Sequence, residues 1–166
     1  MKNVEVAVVM GSDSDYGVMK EAVDVLRQFD VGFDVTVTSA HRTPERTRQF
    51  VLLSEKKGVK VIIVGAGAAA HLAGVIASET LLPVVGVPID SSPLSGADAL
   101  YSTVQMPGGI PVATMAIGKA GAKNAALFSL EMLALSTPEL KEKLSDYRKK
   151  MADSVEEKNR KLQERV

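Results

Sequence analysis

Only two histidines occur in this chain, His41 and His71. His41 belongs to Ser39-Ala40-His41-Arg42-Thr43-Pro44, between a run that reads as a strand (34–38) and one that reads as a helix (44–57). Imidazole titrates at about pH 6.5 in water, so it can give or take a proton near neutrality. Arg42 stands at a helix start, where a cation opposes the macrodipole unless an anion lies between them. Thr43 and Pro44 read as N-cap and first helical residue, which explains the helix start but not Ser39, His41 or Arg42. Together these types suit proton transfer beside a bound anion.

Two further stretches could form the rest of such a site. Gly11-Ser12-Asp13-Ser14-Asp15 follows an apolar run and opens a helix. Serine hydroxyls and helix N-terminal amides there suit a phosphate, and Asp15 could accept from ribose hydroxyls. A plainer reading makes Ser12 or Ser14 an N-cap and Asp15 a first-turn carboxylate favoured by the dipole. The G-x-x-x-x-G-K-[ST] pattern of a Walker loop is absent. The third stretch, GAGAAAHLAG at 65–74, has small residues that let a ligand approach the backbone, and successive amides that can bind a carboxylate. His71, next to Leu72, is either a second base or a residue that fixes its loop through its ring nitrogens. The histidines lack an HxxxH-like spacing and an accompanying carboxylate cluster, so no metal site is expected.

These stretches need a scaffold that brings them together. Residues 4–10 form a nearly continuous apolar run, the pattern of a strand buried on both faces. Val18, Ala22, Val25, Leu26 and Phe29 then recur at helical spacing. The alternation continues with strands at 34–38, 60–64 and 83–87, helices at 44–57, 70–80 and 97–104, an apolar run at 112–117, and an alanine-rich helix at 120–135. Strands alternating with helices imply right-handed βαβ units. The expectation is an α/β fold of three layers, α-β-α, around a parallel sheet, flavodoxin- or Rossmann-like. In such sheets ligands bind beyond the carboxyl ends of the strands. That rule selects the loops at 11–15, 39–43, 65–74 and 88–96, which include both histidines.

From Pro138 onward the pattern changes. Leu140, Leu144, Tyr147, Met151, Val155 and Leu162 form a thin apolar stripe on a highly charged helix. Residues 1–137 are expected to form a single catalytic domain and 138–166 a helical arm that packs on a neighbouring subunit, the alternative being a solvated terminal helix.

Composition narrows the function classes. Lys+Arg and Asp+Glu both number 20, so no overall field draws nucleic acid or an anionic membrane. The chain has no cysteine, which excludes disulfides, thiolate metal sites and a cysteine nucleophile. Lys2 and Glu5 break up the first apolar stretch, so no signal peptide is read, and no apolar stretch reaches the roughly 20 residues of a membrane span. A cytoplasmic protein is expected.

The stretches VVMGSDSD, SAHRTP, GAGAAAHLAG, LPVVGVPI and YSTVQMPGGIPVATMAIGKAGAKNAAL, in that order, resemble the PurE family of purine biosynthesis. Within it they are most similar to class I, the N5-carboxyaminoimidazole ribonucleotide mutases. The resemblance runs from Val4 to Leu135 and more loosely into the tail. It implies an isomerisation in which a carboxylate moves from the exocyclic nitrogen of a ribonucleotide to ring carbon C4, without metal, ATP or organic cofactor. It also implies a homo-octamer whose C-terminal helix crosses to a neighbour. By motif, Ser12 and Asp15 should contact substrate, Asp15 at the ribose. Ser14, Ser39 and Arg42 should hold the 5′-phosphate, and His41 should transfer the proton. Ala66 and Gly67, with His71 and Leu72 beyond them, should shape the pocket for the migrating carboxyl. One imidazole can serve both transfers, donating as the carbamate breaks to amine and CO2 and accepting from C4 once C4 has attacked the CO2. The chain departs from the family pattern at Ala68 and Ala73, where glycine and proline are usual, and at Tyr16, where tryptophan is common. Two rival functions are a class II enzyme that carboxylates aminoimidazole ribonucleotide directly with free CO2, and a non-catalytic nucleotide- or flavin-binding module. The second leaves His41 unexplained, and aromatics at 4% offer a flavin little to stack on.

Overall fold

The computed structural model describes residues 3–166. In chain order it contains β1 (Val6–Met10), a 3-10 turn (Asp13–Asp15), α1 (Tyr16–Gln28), β2 (Phe33–Val37), α2 (Pro44–Lys56), β3 (Val61–Gly67) and α3 (Leu72–Ser78). There follow β4 (Val84–Ile89), α4 (Ala97–Val104), β5 (Ala113–Thr114), α5 (Lys119–Ala134) and α6 (Pro138–Gln163). The strands form one parallel sheet in the order β2-β1-β3-β4-β5. This is the flavodoxin-like α/β arrangement.

Strands β1 and β4 are buried along their whole length and β3 nearly so, because helices cover both faces. Their near-continuous apolar sequences follow from that cover. On one face Ala7, Val9, Ile62 and Val64 share a cluster with Val51 of α2, Ile76 of α3 and Ala99 of α4, each fully buried or nearly so. On the other face α1 lies directly against β3. Gly65 has no side chain there, and a Cβ on it would run into the sulfur of Met19. Each fully buried large side chain of this core contributes about 1.5–3 kcal/mol.

The register levels the carboxyl ends of the strands. Met10 lies opposite Val37 on one side and Gly65 on the other, and Gly67 lies opposite Ile89. The loops leaving β1, β2, β3 and β4 therefore rise from one rim.

The run at 112–117 keeps only two residues, Ala113 and Thr114, as strand. Beyond Thr114 the chain still follows β4, with Met115 N–H donating to the Gly86 carbonyl at 2.8 Å and Gly118 N–H to Pro88 at 2.9 Å. Gly118 then adopts φ +77°, and Gly121 packs against the Ala116 carbonyl, where any Cβ would collide. The backbone is turning into α5, so the apolar pattern outlasts the ladder.

The chain divides into two compact units, one ending at Ser129 and one running from Leu130 to Val166. In the second unit an Arg148–Glu131 ion pair joins α6 to the end of α5. Leu140 and Leu144 are buried, whereas Met151, Val155 and Leu162 stay more than half exposed. Among the described residues no helix is long and apolar enough to cross a membrane.

Candidate active site

A cavity of about 420 Å³ opens at the rim of the sheet. It is lined by Ser12, Ser14, Asp15, Ser39, His41, Arg42, Ala66, Gly67, His71 and Leu72, so the structure brings together every side chain singled out in the sequence. Gly11, Ala40, Ala69 and Ser91 complete the wall.

The first loop is built around Ser12. Its hydroxyl accepts from Ser14 N–H at 3.3 Å and from the Ser14 hydroxyl at 2.8 Å, while its own N–H donates to the Asp15 carboxylate at 3.1 Å. The capping reading of Ser12 therefore holds for the 3-10 turn, and Ser12 and Asp15 face the cavity as well. Asp15 is 5% exposed. Burial raises its carboxyl above the ordinary value of 3.8, and the nearby Asp13 charge pushes the same way, against the stabilising Ser12 N–H.

The second loop is held from below by hydroxyls. Thr43 occupies the N-cap position, yet its side chain does not cap α2. Its oxygen instead accepts from Ser39 N–H at 3.0 Å and donates to the Ser39 carbonyl at 3.1 Å, closing the loop on itself. Buried Thr38 bridges Thr43 at 3.2 Å and Thr47 at 2.9 Å. Thr43 and Pro44 thus take the N-cap and first helical positions as expected, but the Thr43 hydroxyl serves the loop and not the helix. Arg42 N–H donates to the Ser39 hydroxyl at 3.2 Å, and its guanidinium reaches the Gly11 carbonyl at 3.4 Å. Among the described residues Arg42 has no ion-pair partner, so a full positive charge faces the cavity between two loops.

The third loop delivers His71, at the N-cap of α3, to the ring of His41. His41 Nε2 and His71 Nδ1 are 2.8 Å apart, and the rings meet edge to face at 89° with centroids 5.0 Å apart. A bond between two ring nitrogens needs one N–H and one lone pair, so each ring constrains the other's tautomer. Ala68, where the resembled family carries glycine, has φ +50°. This left-handed conformation suits glycine and costs an L residue roughly 1–2 kcal/mol. At the β3 end Gly67 has no room for a side chain, because a Cβ there would overlap the Ser91 hydroxyl and lie 3.2 Å from the Ile89 carbonyl.

Ser91 is the wall residue with a polar side chain that the sequence left unassigned. Its loop was selected, but Ser91, Ser92 and Ser95 all occur in it with nothing in their spacing to distinguish them. Ser92 is occupied structurally, donating to Asp98 at 2.9 Å and accepting from Leu94 N–H at 3.2 Å. No group of three or more His, Cys, Asp or Glu converges among the described residues.

Comparison with known proteins identifies the chain's relatives. The family model described as AIR carboxylase matches residues 5–154. An N5-carboxyaminoimidazole ribonucleotide mutase of Pyrococcus horikoshii is 56% identical over 159 residues, covering 96% of this chain and 89% of that protein. The protein of the same name from Escherichia coli K12 is 53% identical over 150 residues, covering 90% and 89%. A crystal structure of Treponema denticola PurE superposes with a TM-score of 0.86 at 28% identity, over 95% of this chain and 97% of that one.

Proposed function

The chain belongs to the AIR carboxylase family, and from that premise we infer that it is an isomerase of purine biosynthesis with the activity named for its relatives, that of an N5-carboxyaminoimidazole ribonucleotide mutase. The substrate is a ribonucleotide carrying a carbamate, and the product carries the same carboxylate on C4 of the imidazole.

Each group in the cavity has a task in that reaction. Arg42, with Ser14 and Ser39, holds the 5′-phosphate, and a charge-assisted guanidinium contact is the strongest single anchor available there. Asp15, supported by Ser12, accepts from the ribose hydroxyls. His41 gives a ring proton to the exocyclic nitrogen as the N–C bond breaks, leaving an amine and CO2. C4, an electron-rich ring carbon, attacks the CO2 and forms the C–C bond, which leaves C4 tetrahedral and still bearing its hydrogen. His41 takes that proton back onto the nitrogen it left bare, the imidazole of the substrate regains aromaticity, and the histidine is back in its first state. Holding CO2 beside C4 replaces a bimolecular capture with a local one. His71 orients the His41 ring through the shared hydrogen bond, and Ala66, Gly67 and Leu72 line the space for the carboxyl.

The observation that carries the reading is the convergence of an uncompensated Arg42 and a hydrogen-bonded histidine pair on one cavity. Substrate labelled with ¹³C in the carbamate, turned over in excess unlabelled bicarbonate, tests it. Product that keeps the label is expected. Turnover of aminoimidazole ribonucleotide on bicarbonate alone, with unlabelled product, would make the enzyme a direct carboxylase instead.

Two finer features belong to the same proposal. The chain works in the cytoplasm, alongside the rest of purine nucleotide synthesis. It assembles as a homo-octamer in which residues 138–166 form an arm on a neighbour, a reading supported by exposed Leu135, Met151, Val155 and Leu162 in the second unit.

A further inference from the structure

The sheet order sets a direction across the cavity. Ser12, Ser14, Ser39 and Arg42 leave the ends of β1 and β2, whereas Gly67, His71 and Ser91 leave β3 and β4. Neighbouring strands are about 4.8 Å apart, so β2 and β4, three places apart in the sheet, are separated by roughly 14 Å. A nucleotide whose phosphate is held over β1 and β2 therefore extends its base toward β3 and β4. His41 leaves the β2 loop but its ring meets His71 of the β3 loop at 2.8 Å, so a carboxyl reacting beside this pair has Gly67 and Ser91 on its far side in this placement.

The hydrogen-bond inventory distinguishes Ser91 from the other serines of the wall. Ser14 donates to Ser12, Ser12 donates to Asp13 at 3.2 Å, and Ser39 accepts from Arg42 N–H. Ser91 alone of the cavity serines has no hydrogen bond among the described residues. Its hydroxyl occupies the place a side chain at 67 would take, so it lies close to the backbone at the β3 end. In the loop behind it Ser95 has φ +51° and Gly96 φ +84°, and Ser92 donates to Asp98. A free donor on a built loop, at the base end of a nucleotide cavity, is suited to an anionic acceptor.

We propose that Ser91 is a substrate-contacting residue that donates its O–H to the migrating carboxylate, holding it through departure from nitrogen and capture at C4. The proposal rests on the reading of the site given above. Ser91 then distinguishes carboxylated from decarboxylated nucleotide, and it limits escape of CO2 between the two bond changes. A hydrogen bond to a charged group carries roughly 10- to 100-fold in binding.

Equilibrium binding to Ser91→Ala of 4-carboxy-5-aminoimidazole ribonucleotide and of its decarboxylated counterpart, 5-aminoimidazole ribonucleotide, tests this. The carboxylated nucleotide should bind at least about 10-fold more weakly than to the unaltered enzyme, and the decarboxylated one within twofold. In the ¹³C-carbamate experiment the same variant should lose more label to solution per turnover. Ser92→Ala, which loosens the loop without removing the Ser91 hydroxyl, should not reproduce that selectivity. Equal weakening of both nucleotides by Ser91→Ala, no weakening of either, or the same selectivity in Ser92→Ala would overturn the proposal. Arg42→Ala, measured in parallel, should weaken both nucleotides alike. If it weakens neither, the reading of the whole site fails and this inference with it. A normal Arg42→Ala result beside an unselective Ser91→Ala overturns this inference alone.

Discussion

Asp15 joins stability to function through one buried carboxyl. Because burial raises its pKa, the folded chain holds that proton more tightly than the unfolded chain does. Its contribution to stability is therefore fully present below the ordinary value of 3.8 and is lost as pH rises through the raised folded value. At neutral pH the folded protein carries the whole penalty of an ionised buried group, which ribose hydroxyls could relieve. Asp15→Asn keeps an oxygen for the Ser12 N–H and removes the charge. Thermal melts across pH should show the variant more stable than the unaltered protein at pH 7, with the gain disappearing toward pH 3, and nucleotide binding weakened. A destabilised Asp15→Asn at neutral pH would mean that the carboxylate supports the loop rather than the ligand.

At the level of elements, the end of β3 is the most tightly specified part of the site. Gly67→Ala would drive a methyl into the Ser91 hydroxyl and toward the Ile89 carbonyl. Overpacking of this kind costs about 1–3 kcal/mol, and the displaced Ser91 should reproduce the carboxyl-selective defect of its own variant. Melting temperature and the two nucleotide affinities check this; unchanged selectivity would show that Ser91 moves without consequence. The alternation of buried runs and amphipathic stretches made β1, β3, β4 and their helices legible in the sequence, because burial on both faces writes itself as continuous apolar residues. The apolar run from Val112 to Ile117 carries less strand than its length, only Ala113 and Thr114. Its residues are mostly apolar, but just beyond them Gly118 and Gly121 turn the backbone into α5. Thr43 shows another limit. Its position and type announce a cap, and only the folded loop shows its hydroxyl turned back to Ser39. The His41–His71 contact, across 30 residues of chain, was likewise beyond any spacing rule.

For the whole molecule, the tail is where folding and the proposed assembly can be told apart. Leu140 and Leu144 already find cover within the chain, so the neighbour contact proposed for α6 falls on Met151, Val155 and Leu162. The sequence presented all of these as one stripe, because helical spacing does not say which part of a stripe its own chain will cover. Deleting residues 138–166 should lower the particle mass in light scattering, or the melting temperature, since each buried side chain contributes about 1.5–3 kcal/mol at every equivalent interface. A truncated protein with unchanged mass and melting temperature would reduce the arm to a solvated appendage.

The central claim is that His41 moves the proton in this cavity, and turnover of the carbamate substrate by His41→Asn tests it most directly. The variant should fold and bind nucleotide as before, because Arg42, Ser39 and Asp15 are untouched. Its kcat should fall by at least about 100-fold, the usual scale of general acid–base help. A folded His41→Asn enzyme with near-normal kcat would contradict the account.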